Sequence, residues 1–245
     1  MRKLTYVLML AVMAGFAGTA SAAIINEFVA NDISTDDYEF IELCGQPYES
    51  LDGLTVVLIE GEGTGSGIID RIIPLTGYAI SASGYFVIGD PLVSPDLEMA
   101  TGFIENGGNN ILLLSDFDEG LYPVGTDIDA EDDCIADYPI GTVVDGVGYG
   151  YGYSALDCAY YYGIPTVGPD GTYDPAGAAR CDDCDAIGGE WFMICLNGTE
   201  PAPTGIECAE GDGYYIGWAT PGAANDCSPL EAQSSTWGGV KSMYR

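Results

Sequence analysis

The residues of this sequence best suited to chemistry are oxygen donors. Asp127, Asp129, Glu131, Asp132 and Asp133 crowd one short run, with Asp116, Asp118 and Glu119 just before it. Hard cations take carboxylate oxygens, so the run 127–133 is a candidate metal site and Ca²⁺ its candidate cofactor. Neither cluster follows the EF-hand spacing, and a solvated acidic loop is the competing reading. Tyr149, Tyr151 and Tyr153 alternate with glycines. In an extended chain they share one face, which makes them candidate contacts for a glycan or a protein; covering a sandwich edge is the other use for such rings. Histidine is absent, which removes Ser-His-Asp and Cys-His catalysis and His-ligated zinc. With 38 acidic residues, carboxylate pairs arise by chance and do not identify a glycosidase. The expectation is that the protein is not an enzyme.

Eight cysteines stand at Cys44, Cys134, Cys158, Cys181, Cys184, Cys195, Cys208 and Cys227. Their use follows from the compartment. Arg2 and Lys3, the apolar run 4–16 and the small residues Ala20-Ser21-Ala22 read as a secretory signal peptide over 1–22. An even cysteine number in an exported chain favours disulfides, with the pairing open. The Cys181-Asp182-Asp183-Cys184 CxxC is then structural, its cysteines held in disulfides. Zinc would need Cys195 and Cys208 as further ligands, and a thioredoxin-like role would need a βαβ context that is missing.

The formal net charge is −32. Losing Arg2 and Lys3 leaves only Arg71, Arg180, Lys241 and Arg245 as basic residues. A surface so acidic repels phosphate backbones, so nucleic acid is excluded as a partner. No stretch after the signal is long enough to span a bilayer, and the protein is expected to be secreted, or held outside the cell or in its envelope.

The elements that must position these groups read as strands. Residues 24–32, 39–43, 55–59, 68–73, 84–90, 111–114, 142–149 and 190–194 are short β-rich runs between Gly, Pro and Asn turns. Glu27, Glu39 and Glu42 lie inside the first two runs, a pattern that suits paired strands with an acidic face. Residues 115–139 form a long acidic loop. Residues 150–215 are irregular and rich in Gly, Tyr and Cys. The expected organisation is a domain over 23–227, then a linker and short tail over 228–245. The tail carries Trp237, Val240, Lys241, Tyr244 and Arg245, opposite in charge to the body, and reads as a sorting or docking signal or a frayed end. Asn197-Gly198-Thr199 matches a glycosylation sequon, read here as accidental.

Four pieces resemble the lamin tail domain in order: Ile25-Asn26-Glu27 with Glu39-Phe40-Ile41-Glu42-Leu43; Leu51-Asp52-Gly53-Leu54; the strands at 111–116 and 144–149; and Thr220-Pro221-Gly222-Ala223-Ala224-Asn225, similar to the closing motif of exported bacterial members. Cys44-Gly45 stands where that family usually carries an Asn. The resemblance implies an all-β, immunoglobulin-like β-sandwich in which the acidic and Cys-rich stretches are loop insertions. It also implies a non-catalytic secreted or cell-surface interaction or adhesion module, with a protein or glycan at the cell surface as its partner. On this reading Glu27, Glu39 and Glu42 are framework positions. The alternatives are a small secreted Ca²⁺-dependent hydrolase and a structural cell-envelope component.

Overall fold

The computed structural model describes residues 23–30, 37–105, 107–150, 157–168, 176–181, 191–194, 215–216 and 219–225. Among them the chain forms two packed sheets, an all-β sandwich. One sheet runs in the order β12 (Tyr215–Ile216), β11 (Trp191–Ile194), β10 (Gly177–Arg180), β1 (Ile24–Val29), β2 (Phe40–Cys44), β5 (Tyr85–Gly89), β6 (Leu97–Glu98). The other runs β4 (Ile69–Pro74), β3 (Leu54–Glu60), β7 (Asn109–Ser115), β8 (Thr142–Tyr149), β9 (Thr166–Val167). Neighbours are antiparallel except in the pairs β11–β12, β5–β6 and β8–β9.

Strand alternation sends one set of side chains into the space between the sheets and the other set outward. Ile25, Phe28, Ile41, Leu43, Val56, Leu58, Ile111, Leu113, Val147 and Tyr149 meet between them. The outward sets are also covered. Val57, Ile59, Leu112 and Leu114 pack under Ile128, Ile140, Tyr161 and Ile164, while Val29, Phe40, Val87 and Ala179 form a third cluster with Ile194. This explains why β3 and β7 read as apolar on both faces: each is buried on both sides.

Two bulges set the polar exceptions. In β1 the register steps between Ile25 and Glu27, so Asn26 is the extra residue. In β8 it steps between the partners of Leu113 and Leu114, which makes Val144 extra and turns Asp145 into the core. Asp145 then accepts the Ile25 N–H at 2.8 Å and pairs with Arg180 on the facing sheet at 2.7 Å. The Arg180 guanidinium lies over the Trp191 ring, 4.7 Å from its centroid.

The strand expected over 142–149 is β8, residue for residue. Sequence reasoning missed β10, whose residues Gly-Ala-Ala-Arg lack branched and aromatic side chains. Small residues are needed because β10 passes close to β1: a Cβ on Gly177 would run into the Phe28 carbonyl. The acidic face expected on the first two strands is not exposed. Glu27, Glu39 and Glu42 are each 0% accessible. The notion of an exposed Tyr row is corrected for Tyr149, whose ring is in the core 4.9 Å from Phe28. Tyr151 and Tyr153, Cys184, Cys195, Cys208 and Cys227, the sequon at Asn197 and the tail residues Trp237, Val240, Lys241, Tyr244 and Arg245 lie outside the described residues.

Candidate functional site

The acidic run folds back on the sheet rather than waving in solvent. Gly125 N–H bonds the Ile69 carbonyl and Ile69 N–H the Thr126 carbonyl, both at 2.8 Å, so the loop extends the β4 edge. Ile128 then plugs the apolar cluster beneath it. The carboxylates turn inward to the loop's own backbone. Asp127 Oδ1 accepts the Asp129 N–H at 2.9 Å. Asp129, fully buried, accepts Asp133 N–H at 3.0 Å, Cys134 N–H at 2.8 Å and the Tyr161 hydroxyl at 2.8 Å. Asp133 accepts Ile135 N–H, and Asp137 accepts Ala130 N–H. The Asp127 and Asp133 bonds, each to the amide two residues on, are Asx-type turns, and the Asp129 and Asp137 bonds tie more distant amides of the loop together. Burial, then the bond to Asp129, pushes the Tyr161 hydroxyl up, keeping it a donor. Asp137 beside it raises the Glu131 carboxyl. Asp132 and Cys134 adopt left-handed backbone, φ 53° and 64°, a conformation that persists only where the surroundings over-determine it.

Of the candidate metal ligands, the loop therefore commits Asp127, Asp129 and Asp133 to backbone amides. Among the described residues, no three His, Cys, Asp or Glu side chains group so as to hold a metal ion.

A disulfide closes the loop. Cys134 and Cys158 are bonded, 24 residues apart in sequence with Cα atoms 5.2 Å apart. Cys44 and Cys181 each take part in a disulfide too. The Tyr122 and Tyr138 rings stack at 5.4 Å, and the Tyr138 hydroxyl donates to the Asp127 carbonyl at 2.7 Å. What the loop leaves outside is mixed: Leu121, Val124 and Ile135 are 62%, 58% and 67% exposed among the acids. The C134S/C158S variant should lose about 3 kcal/mol by the loop-closure estimate. Urea denaturation checks this, and a loss under about 1 kcal/mol would mean that the hydrogen bonds alone fix the loop.

A second polar cluster joins β1 and β2 to residues 220–225. Thr220-Pro221-Gly222-Ala223 is a turn closed by Ala223 N–H to the Thr220 carbonyl at 3.0 Å, with Gly222 at φ 84°. Pro followed by a positive-φ Gly is the type II signature. The turn sits over the outer side of β1 and β2. Glu27 accepts the Thr220 N–H at 3.0 and 3.1 Å, and Glu42 accepts the Gly222 N–H at 2.5 Å and the Asn26 amide at 2.7 Å. Asn225 donates to the Arg180 carbonyl at 2.6 Å and accepts the Thr220 hydroxyl at 3.0 Å. Burial pushes the Glu42 carboxyl up to about 8 against the pull of these donors. Burial, then Glu42, raises Glu27 well above the usual carboxylate range. These carboxylates are occupied by structure and have no open face for a substrate.

The open polar end of the sandwich lies elsewhere, beyond the ends of β3 and β8. A cleft of about 150 Å³ there is lined in part by the glycines Gly61, Gly108, Gly150 and Gly168, with Glu62 and Asp157 on its walls. Asp157 accepts the Gly63 N–H at 3.1 Å. Nearby, burial first, then interaction with the Glu105 carboxyl, pushes the Glu60 carboxyl up to about 8. Sequence reasoning did not select Glu60 or Glu105, because they lie 45 residues apart in loop-flanking positions with no motif. Among the described residues no helix is long and apolar enough to cross a membrane. No protein-family model, no curated protein and no solved structure matches this chain.

Proposed function

We propose that the protein is an exported, non-catalytic interaction module of lamin-tail type, with the braced acidic loop 116–139 as its contact surface. Two groups of residues that carry the resemblance, Glu27 with Glu42 and Thr220 to Asn225, support the family reading by meeting in one hydrogen-bonded cluster. The contact surface rests on one observation: the loop's carboxylates and disulfide fix its backbone while Leu121, Val124 and Ile135 stay exposed. A preorganised surface loses little entropy on binding, and apolar side chains ringed by charge suit a specific contact at a cell surface.

The test is binding of fluorescently labelled mature protein to intact cells, to protease-treated cells and to purified surface glycan. Retention after protease assigns a glycan partner, and loss after protease assigns a protein. The L121S/I135S variant should bind at least tenfold more weakly with unchanged melting. Absence of binding to all three targets, or equal binding by the variant, overturns the reading. So does turnover of glycans or phosphoesters with Ca²⁺ present, which favours the hydrolase alternative.

A further inference from the structure

The row of side chains at the open end of the sandwich carries an inference that the acidic loop does not. Glu60, Asn109 and Tyr149 are directly opposite one another across β3, β7 and β8. Directly paired residues point to the same face of a sheet, and Tyr149 fixes that face as the inner one, since its ring is in the core. Asn109 is 0% accessible, and neither its amide oxygen nor its amide nitrogen has a hydrogen-bond partner. Its neighbour Asn110, on the other face, is fully used: its amide donates to the Cys158 carbonyl at 2.7 Å and its oxygen accepts the Tyr161 N–H at 3.2 Å. Leaving a buried amide unpaired costs about 1–3 kcal/mol, so a satisfied Asn beside an unsatisfied one asks what Asn109 is for.

The groups around Asn109 supply an answer. Glu60 shares its row, and the Glu105 carboxyl, at the exposed rim, is near enough to raise that of Glu60. The Tyr149 hydroxyl donates to the Glu105 carbonyl at 3.1 Å, which anchors this rim residue to the same row. The Glu62 N–H bonds Glu60 Oε1 at 2.9 Å and orients the Glu60 carboxyl. Two carboxyls in contact repel unless a proton or a cation lies between them. Two carboxylates and an amide oxygen are a hard-cation donor set, to be completed by backbone carbonyls and water.

We propose that Glu60, Glu105 and the Asn109 amide oxygen form a Ca²⁺-binding site at this end of the sandwich, separate from the acidic loop 127–133. The site has an open side at Glu105, so the ion has an entry path. Two carboxylates are few for Ca²⁺, which places the affinity in the range of extracellular modules, roughly 10⁻⁴–10⁻³ M.

The test uses the mature protein, freed of bound ions by chelation. Calorimetric Ca²⁺ titration should show one saturable site, and Tb³⁺ in its place should luminesce through Tyr149. Glu60→Gln and Asn109→Leu should each weaken binding at least tenfold, whereas D127N/E131Q should leave this site unchanged. Binding lost in D127N/E131Q and kept in Glu60→Gln overturns the assignment in favour of the loop. No heat and no Tb³⁺ signal overturns it outright. Melting with and without Ca²⁺ covers the case of a damaged fold. Glu60→Gln should melt no lower than the wild type without Ca²⁺ and should gain nothing when Ca²⁺ is added. A variant that still gains the wild-type increment refutes the site.

Discussion

Replacing Asp145 by Asn should destabilise the protein by about 3–5 kcal/mol, the usual result of removing one partner from a buried ion pair. Asp145 and Arg180 are both nearly inaccessible, and their 2.7 Å contact joins the two sheets. Without the carboxylate, Arg180 keeps a buried charge that has lost its ion-pair partner beside the Trp191 face. Asp145 also accepts the N–H of Ile25, released from the ladder by the bulge at Asn26. The loss therefore reflects the charge left behind rather than the net worth of the pair. The double variant D145L/R180M should recover most of the stability, because it removes both charges, while falling short by about 1–3 kcal/mol for the unpaired Ile25 N–H. Urea denaturation of the three proteins decides this. A single variant within about 1 kcal/mol of wild type would show that water reaches the pair. A single variant that fails to fold while the double variant folds supports the account as directly as a measured difference.

Melting temperature should fall steadily as pH rises from 5 to 8. Glu27 and Glu42 hold their protons more tightly in the folded chain than at the usual glutamate value of 4.5, and for Glu42 the folded value is about 8. Between 4.5 and 8 the folded state thus binds more protons than the unfolded one, so stability is full on the acid side and declines through this window. Above about 8 the Glu42 contribution to the slope ends. Each group that differs by a whole proton contributes about 1.4 kcal/mol per pH unit. The half-buried Glu60 adds a smaller term of the same sign, reduced by solvent screening. Glu42→Gln should flatten the slope and raise melting at pH 8, since a neutral amide oxygen still accepts the Gly222 N–H. An unchanged slope in that variant would mean that Glu42 is ionised throughout the range. The wild-type slope would then come from Glu27, Glu60 and general repulsion among the acids.

Much of the sandwich was legible in residues 24–149. Short branched and aromatic runs between Gly and Pro turns identify strands because a pleated, half-buried surface selects those side chains. β8 could be read residue for residue, while Thr220 to Asn225 stood out only as a motif, and the structure makes its first four residues a type II turn. Glu27, Glu39 and Glu42, taken as framework positions on the resemblance, are buried. β10 was not legible, because its small residues are dictated by the closeness of β1, a strand almost 150 positions earlier. Tyr149 was misread because alternation gives which residues share a face but not which face is covered.

The sequence by itself determined the composition-driven properties: an acidic, histidine-free, cysteine-bearing chain built of strands. These depend on residue type and near neighbours, which a linear string records. Only the tertiary structure decided what each acid does. Asp129 satisfies its own loop, Glu27 and Glu42 hold the closing turn, and Asp145 bridges the sheets. Glu60 and Glu105 meet beside an unpaired amide. A carboxylate has the same formula in all four places. Its role comes from the donors, charges and solvent that folding brings within a few ångströms, and those partners lie up to 193 residues away along the chain.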